Sequence, residues 1–189
     1  MAAKKTHFGR AGEFAALSEF LLRGYNVAIP SVDVGDDAFV INDADGTTWR
    51  VQVKTGDVSG KGGKRSATYN LSRSQLRDPK PAELFFMFMA RWSDRWHYVL
   101  IRRDHLEQIR RSFERTPRSK KAGAKPKTDA TAKRDALSVV FTWGSASATA
   151  WGTSFKSYFD AWPKAELPEI KAGPGATKPT ASRSPRRQR

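Results

Sequence analysis

The octapeptide TWRVQVKT at residues 48–55 is the part of the sequence with the most chemical content. Strand alternation sets Trp49, Val51 and Val53 on one face and Arg50, Gln52 and Lys54 on the other. The first set is apolar and predicts an inward face; the second is polar and predicts a row pointing together into solvent or a cleft. Upstream, Asp37 opens the strand-like DAFVI, and Asp33 and Asp36 precede it in VDVGDDAFVI. Glu13 begins an apolar-periodic stretch and shares a helical face with Ala16, Leu17 and Phe20. A carboxylate on a face that packs against a sheet must be paired, hydrogen-bonded or metal-bound, or it costs several kcal/mol.

The elements that must position these groups follow from periodicity. Residues 12–23 predict an amphipathic helix stopped at Gly24. Residues 25–29, 38–41 and 48–54 predict strands, and Asp45-Gly46 between the last two is a hairpin signal. Residues 70–77 predict a short helix. The unbroken apolar run LFFMFMA at 84–90 predicts a strand covered on both faces. A strand at 96–102, a helix at 104–113 capped by Asp104, and a strand at 137–143 follow. Trp151, Phe155, Tyr158, Phe159 and Trp162 recur at helical spacing and predict a last helix docked on the sheet through a core stripe. The order predicts a mixed α/β domain with one central sheet.

Gly12-Glu13 on a first helix, Asp37 opening a strand, and Gln52-Val53-Lys54 on its hairpin partner resemble the PD-(D/E)xK nucleases, the restriction-endonuclease-like superfamily. The resemblance covers residues 9–55, with looser agreement in element order through residue 113. It implies a restriction-endonuclease-like core, a central mixed β-sheet flanked by helices, and Mg²⁺-dependent hydrolysis of DNA phosphodiester bonds, with Mn²⁺ as a substitute. Carried over by position, Asp37 is the central metal ligand and Glu13 a second carboxylate, direct or through water. The Gln52 side-chain carbonyl and the Val53 backbone carbonyl complete the protein's oxygen donors, which suit magnesium. Lys54 orients or deprotonates the attacking water and stabilises charge on the phosphorane. Gln52 stands where Asp or Glu is usual, and Glu13 fits the compensation seen in QxK families. Asp37 is favoured over Asp36 because it directly precedes the apolar run AFVI.

Charge places the expected partner. The chain has 189 residues and a net charge of +15, yet residues 113–135 hold eight basic and three acidic residues, and residues 171–189 hold six basic and none acidic. Those two Lys-, Ala- and Pro-rich segments therefore carry +11 of the +15, and they lack the apolar content to order themselves. The sequence divides accordingly into a nuclease-like core (1–113), a basic insertion (114–135), a strand and helix completing the domain (136–165), and a basic tail (166–189). Lys61, Lys64 and Arg65 in the glycine-rich loop, with Arg186 and Arg187 in the tail, are the expected nucleic-acid contacts. The loop's GDVSGK lacks the spacing of a phosphate-binding P-loop. There are no cysteines and three histidines, which excludes disulfides and thiolate metal sites. No apolar run spans a membrane, so a soluble protein of the cytoplasm or nucleoid is expected. The resemblance implies DNA, or RNA, as partner and the homo-oligomer that is common in that family, although nothing in the sequence marks an interface. The alternatives are a non-catalytic nucleic-acid-binding protein on the same fold, or a protein whose basic tail binds an acidic protein surface.

Overall fold

The computed structural model describes residues 2–32, 35–60, 65–77, 82–115 and 135–162. Helix α1 (Ala2–Leu22) leads into β1 (Asn26–Ala28), β2 (Ala38–Ile41) and β3 (Thr48–Gly56). Then come β4 (Arg65–Ser72), the short α2 (Arg73–Arg77), β5 (Leu84–Trp92), β6 (Arg95–Arg102) and α3 (Arg103–Arg115). Strands β7 (Ala136–Trp143), β8 (Ala148–Ala150) and β9 (Thr153–Ser154) and a 3₁₀ turn at Lys156–Tyr158 complete the described chain.

The molecule is mixed α/β. Its central sheet has the order β1-β2-β3-β5-β6, with β3 and β5 parallel and the other pairs antiparallel. The β2–β3 hairpin turns at Gly46, whose positive φ of 72° suits the Asp-Gly signal. Strand β5 explains its own composition: Phe85, Met87 and Met89 enter one core, Phe86 and Phe88 the other, and all five are buried. On the first face α1 packs Ala16 and Phe20 against Val40, Val51, Val53, Met87 and Leu100. On the second face lies another layer.

That second layer departs from the one-sheet expectation. Strands β4, β7, β8 and β9 form an antiparallel sheet of their own, which packs Ala67, Tyr69, Leu71, Phe141 and Trp143 against Phe86 and Phe88. Strand β4 occupies residues expected to be loop and helix, and only Arg73–Arg77 is helical. Its alternation was present, since Ala67, Tyr69 and Leu71 are buried while Thr68 and Asn70 are exposed, but serines and flanking glycines masked it. The expected C-terminal helix is absent. Trp151 and Gly152 take left-handed φ values of 51° and 73°, turning β8 into β9, and Asp160 takes one of 44°. The stripe is nonetheless core: Phe155 and Phe159 are buried, and Trp162 packs against Phe20 and Tyr25. Helix α1 begins ten residues earlier than its periodic stretch, and α3 extends the expected helix by residue 103 at its start and residues 114–115 at its end. The segments 116–134 and 163–189, with most of the expected basic insertion and tail, lie outside the described residues.

Burial within β7 gives a stability test. Phe141 is fully buried against Phe88, Trp143 and Phe155, while Val140 beside it is 51% exposed. Phe141→Ala is expected to lower unfolding free energy by about 3–5 kcal/mol, and Val140→Ala by about 0.5 kcal/mol or less, in urea titrations. Equal losses would contradict the two-sheet packing.

Candidate active site

Strand β3 is bounded unevenly. On one edge it pairs with β5 from Arg50 to Gly56; on the other it pairs with β2 only from Thr48 to Val51. The chain entering β2 caps that second edge: the Asp37 N–H donates to the Val51 carbonyl at 2.9 Å. Asp37 Oδ2 in turn accepts the Val53 N–H at 2.6 Å. Asp37 lies just outside the β2–β3 ladder, whose last pair is Ala38–Val51, and alternation along β3 sets Gln52 and Lys54 on one face of the sheet. The Val53 carbonyl turns toward the same edge as its N–H. Asp37, Gln52, Val53 and Lys54 thus meet where β2 gives out.

The polar row Arg50, Gln52, Lys54 is not a solvated face. Arg50 and Gln52 are buried and Lys54 is half-buried, because the layer behind β4 and α2 covers them. Arg50 resolves its burial through Asp36: its Nε donates to Asp36 Oδ2 at 2.8 Å and its Nη2 reaches both carboxylate oxygens. The two side chains are 9% and 2% exposed, so the pair is fully internal. Asp36, the second candidate for the metal, is therefore committed to a guanidinium.

Gln52 has no such resolution. Its Oε1 is buried and has no hydrogen-bond partner among the described residues, an arrangement that costs about 1–3 kcal/mol if nothing occupies it. Gly35, at φ 85°, lies against it: a Cβ there would stand 3.1 Å from Gln75 Nε2 and 3.9 Å from Gln52 Nε2. Gln75, on α2, anchors its own Oε1 on the Ser72 N–H at 3.1 Å. An uncharged oxygen without a donor, next to a carboxylate and a backbone carbonyl, suits a hard cation. Gly35 and Gln75 carried no recognisable signal in the sequence; the Asp36–Arg50 pair did, through complementary charges flanking Asp37 and Gln52.

Glu13 arrives from the other side of the sheet. Helix α1 crosses the end of β3 closely, since a Cβ on Gly12 would fall 2.1 Å from Thr55 Oγ1. That contact fixes Glu13 beside the last residues of β3, on the face opposite Gln52 and Lys54, and the open edge of β3 is the route between them. The half-buried Glu13 carboxylate pairs with Arg10 one turn earlier. Among the described residues no group of three or more His, Asp or Glu side chains gathers in a metal-binding arrangement.

The expected nucleic-acid contacts separate. Arg65 opens β4 with its guanidinium 5.4 Å from the Trp92 ring centre; Lys61, Lys64, Arg186 and Arg187 lie outside the described residues. His97 and His105 hold structure together. His97 Nδ1 lies 2.7 Å from Asp160 and its ring stacks on Trp92 at 3.6 Å, while His105 Nδ1 meets the Tyr158 hydroxyl at 3.2 Å.

Removing either neighbouring aspartate separates the two roles. Asp36→Ala leaves a buried guanidinium unpaired and is expected to cost about 3–5 kcal/mol of stability. Asp37→Ala forfeits the charge-assisted hydrogen bond from the Val53 N–H and is expected to cost less, about 1.5–3 kcal/mol. Urea unfolding of both variants checks this, and comparable losses would contradict the division.

No protein-family model matches this sequence, and no curated protein does. A solved structure, that of a bacterial homing endonuclease, is similar at 22% sequence identity and a TM-score of 0.38. The match covers 52% of this chain and 64% of that one, so this chain spans less than two thirds of its length. No helix among the described residues is long and apolar enough to cross a membrane.

Proposed function

We propose that this protein is a Mg²⁺-dependent endonuclease of the PD-(D/E)xK type, in its QxK form, hydrolysing DNA phosphodiester bonds. The observation that carries the reading is Gln52 Oε1, buried and without a partner among the described residues, one position before the Val53 whose N–H donates to Asp37 where β3 is no longer paired with β2. Asp37, Gln52 and the Val53 carbonyl would hold the cation, with Glu13 contributing around the strand edge through water. Mn²⁺ would serve as well, since it shares the preference for oxygen donors. When bound, the metal supplies Lewis-acid polarisation of the phosphate and acidifies a water molecule.

The remaining work falls to the chain itself. The buried Asp36–Arg50 pair and the Asp37–Val53 hydrogen bond fix the Asp37 carboxylate against β3. Lys54, two residues beyond Gln52 on the same face, orients the attacking water and offsets charge that builds on the phosphorane. Water adds its oxygen to phosphorus, the bond to the leaving deoxyribose oxygen breaks, and one of the water's protons ends on that oxygen. Cutting both strands of a duplex calls for two such sites, which a homo-oligomer would provide, and a cytoplasmic or nucleoid location fits such a substrate.

A second reading has its own support. Glu13 is paired with Arg10, and no third carboxylate joins Asp37 among the described residues, which favours a nucleic-acid-binding protein that does not cut. Nicking of supercoiled plasmid DNA with Mg²⁺ separates the two. The endonuclease reading expects wild-type nicking, lost by about 100-fold or more in Asp37→Asn and in Lys54→Ala, with circular dichroism unchanged. An intact plasmid with wild type would favour the binding protein, and full activity in either variant would contradict the roles assigned to Asp37 and Lys54.

A further inference from the structure

Helices α2 and α3 enclose a cleft of about 440 Å³ on the flank of the candidate site, lined among others by Arg77, Arg103, Arg111 and Arg115. Its two acidic residues are already engaged. Asp104 is held below the usual carboxylate range by hydrogen bonds from Arg102. Burial opposes the charge on Glu107, but hydrogen bonds from Arg110 and Arg111 outweigh it and keep its pKa low as well. Both are ionised at neutral pH, and the four arginines that line the cleft outnumber them, so its net charge is positive. Arg103 is tied down by the Leu76 carbonyl at 2.9 Å and forms the floor, while Arg77, Arg111 and Arg115 are exposed.

The spacing along α3 is regular. Positions 103, 107, 111 and 115 are four residues apart and share one face, so the stripe is about 18 Å long at 1.5 Å per residue. That length matches about five nucleotides of one strand at 3.4 Å each. The cleft also adjoins the site: Gln75, which lies against Gly35 near Gln52, immediately precedes the cleft residues Leu76 and Arg77 on α2. A linear polyanion whose scissile group sat at the β3 edge would continue along this cleft.

We infer that the α2–α3 cleft binds the phosphate backbone of a nucleic-acid strand, with Arg77 and Arg115 as its exposed contacts. The inference rests on the proposed nucleic-acid substrate, but not on cleavage. It is tested by fluorescence anisotropy of a labelled random-sequence DNA duplex in EDTA, where metal-dependent hydrolysis is silent, across a range of salt concentrations. The double variant Arg77→Ala/Arg115→Ala is compared with Arg91→Ala/Arg95→Ala, an equal charge loss at the exposed β5–β6 turn. The cleft variant is expected to bind about tenfold more weakly at 0.1 M salt, with a log–log salt slope shallower by about 1.8, while the turn variant binds as wild type. Arg77→Lys/Arg115→Lys should recover most of the loss. Wild type that does not bind, a cleft variant that binds normally, or equal losses in both double variants would each overturn the inference. A protein that binds through the cleft yet never nicks plasmid contradicts the endonuclease reading and leaves the cleft standing.

Discussion

Burying both faces of β3 is the constraint from which the site follows. The apolar face of that strand lies under α1, and the opposite face lies under the second layer, so Arg50 and Gln52 must both leave water. Desolvating a guanidinium or an amide without a partner is costly. Arg50 meets the demand within the chain by pairing with Asp36. Gln52 does not, and its oxygen is left beside the one carboxylate that the Arg50 pair does not use. A polar strand face inside a protein needs such an explanation at every position, and here a single position lacks one in the protein alone.

The early end of β2 turns that constraint into a place where chemistry is feasible. If β2 continued past Ala38 as a regular strand, its backbone would occupy the β3 edge from Gln52 onward. Instead the chain leaves at Asp37, which closes the last ladder position through its own N–H and uses its side chain on the next. The result is a carboxylate on the Val53 N–H, with the Gln52 amide one residue earlier on β3. Close helix–strand contact at Gly12 and Thr55 brings Glu13 to the same edge from the far face. These features fit the proposed nuclease chemistry and its dependence on a hard cation.

Much of this was legible in the sequence, and the failures are physical. Asp45-Gly46 gave the hairpin, the unbroken apolar run gave β5, and the TWRVQVKT alternation gave the two faces of β3, because turn geometry and side-chain period are local properties. What lies over the polar face is not local. The second sheet depends on β4 and β7 pairing across more than sixty residues, and nothing in either strand announces the other. For the same reason the row Arg50, Gln52, Lys54 read as a solvent or cleft face when it is largely buried. The aromatic stripe at 151–162 was correctly placed in the core but wrongly made helical. Spacings of three and four residues arise there from a left-handed turn, the short strand β9 and a 3₁₀ segment. The α2–α3 arginine cleft was obscured by the much denser basic segments elsewhere in the chain.

The central claim is that Gln52 Oε1 and the Asp37 carboxylate face one shared cation. Anomalous diffraction from crystals soaked in Mn²⁺ addresses it without reference to activity. The account predicts a peak within about 2.5 Å of both oxygens, at a distance ordinary for oxygen ligation of such ions, and its disappearance in Gln52→Leu. A map in which Gln52 instead bonds to a protein group, with no metal at Asp37, would contradict it.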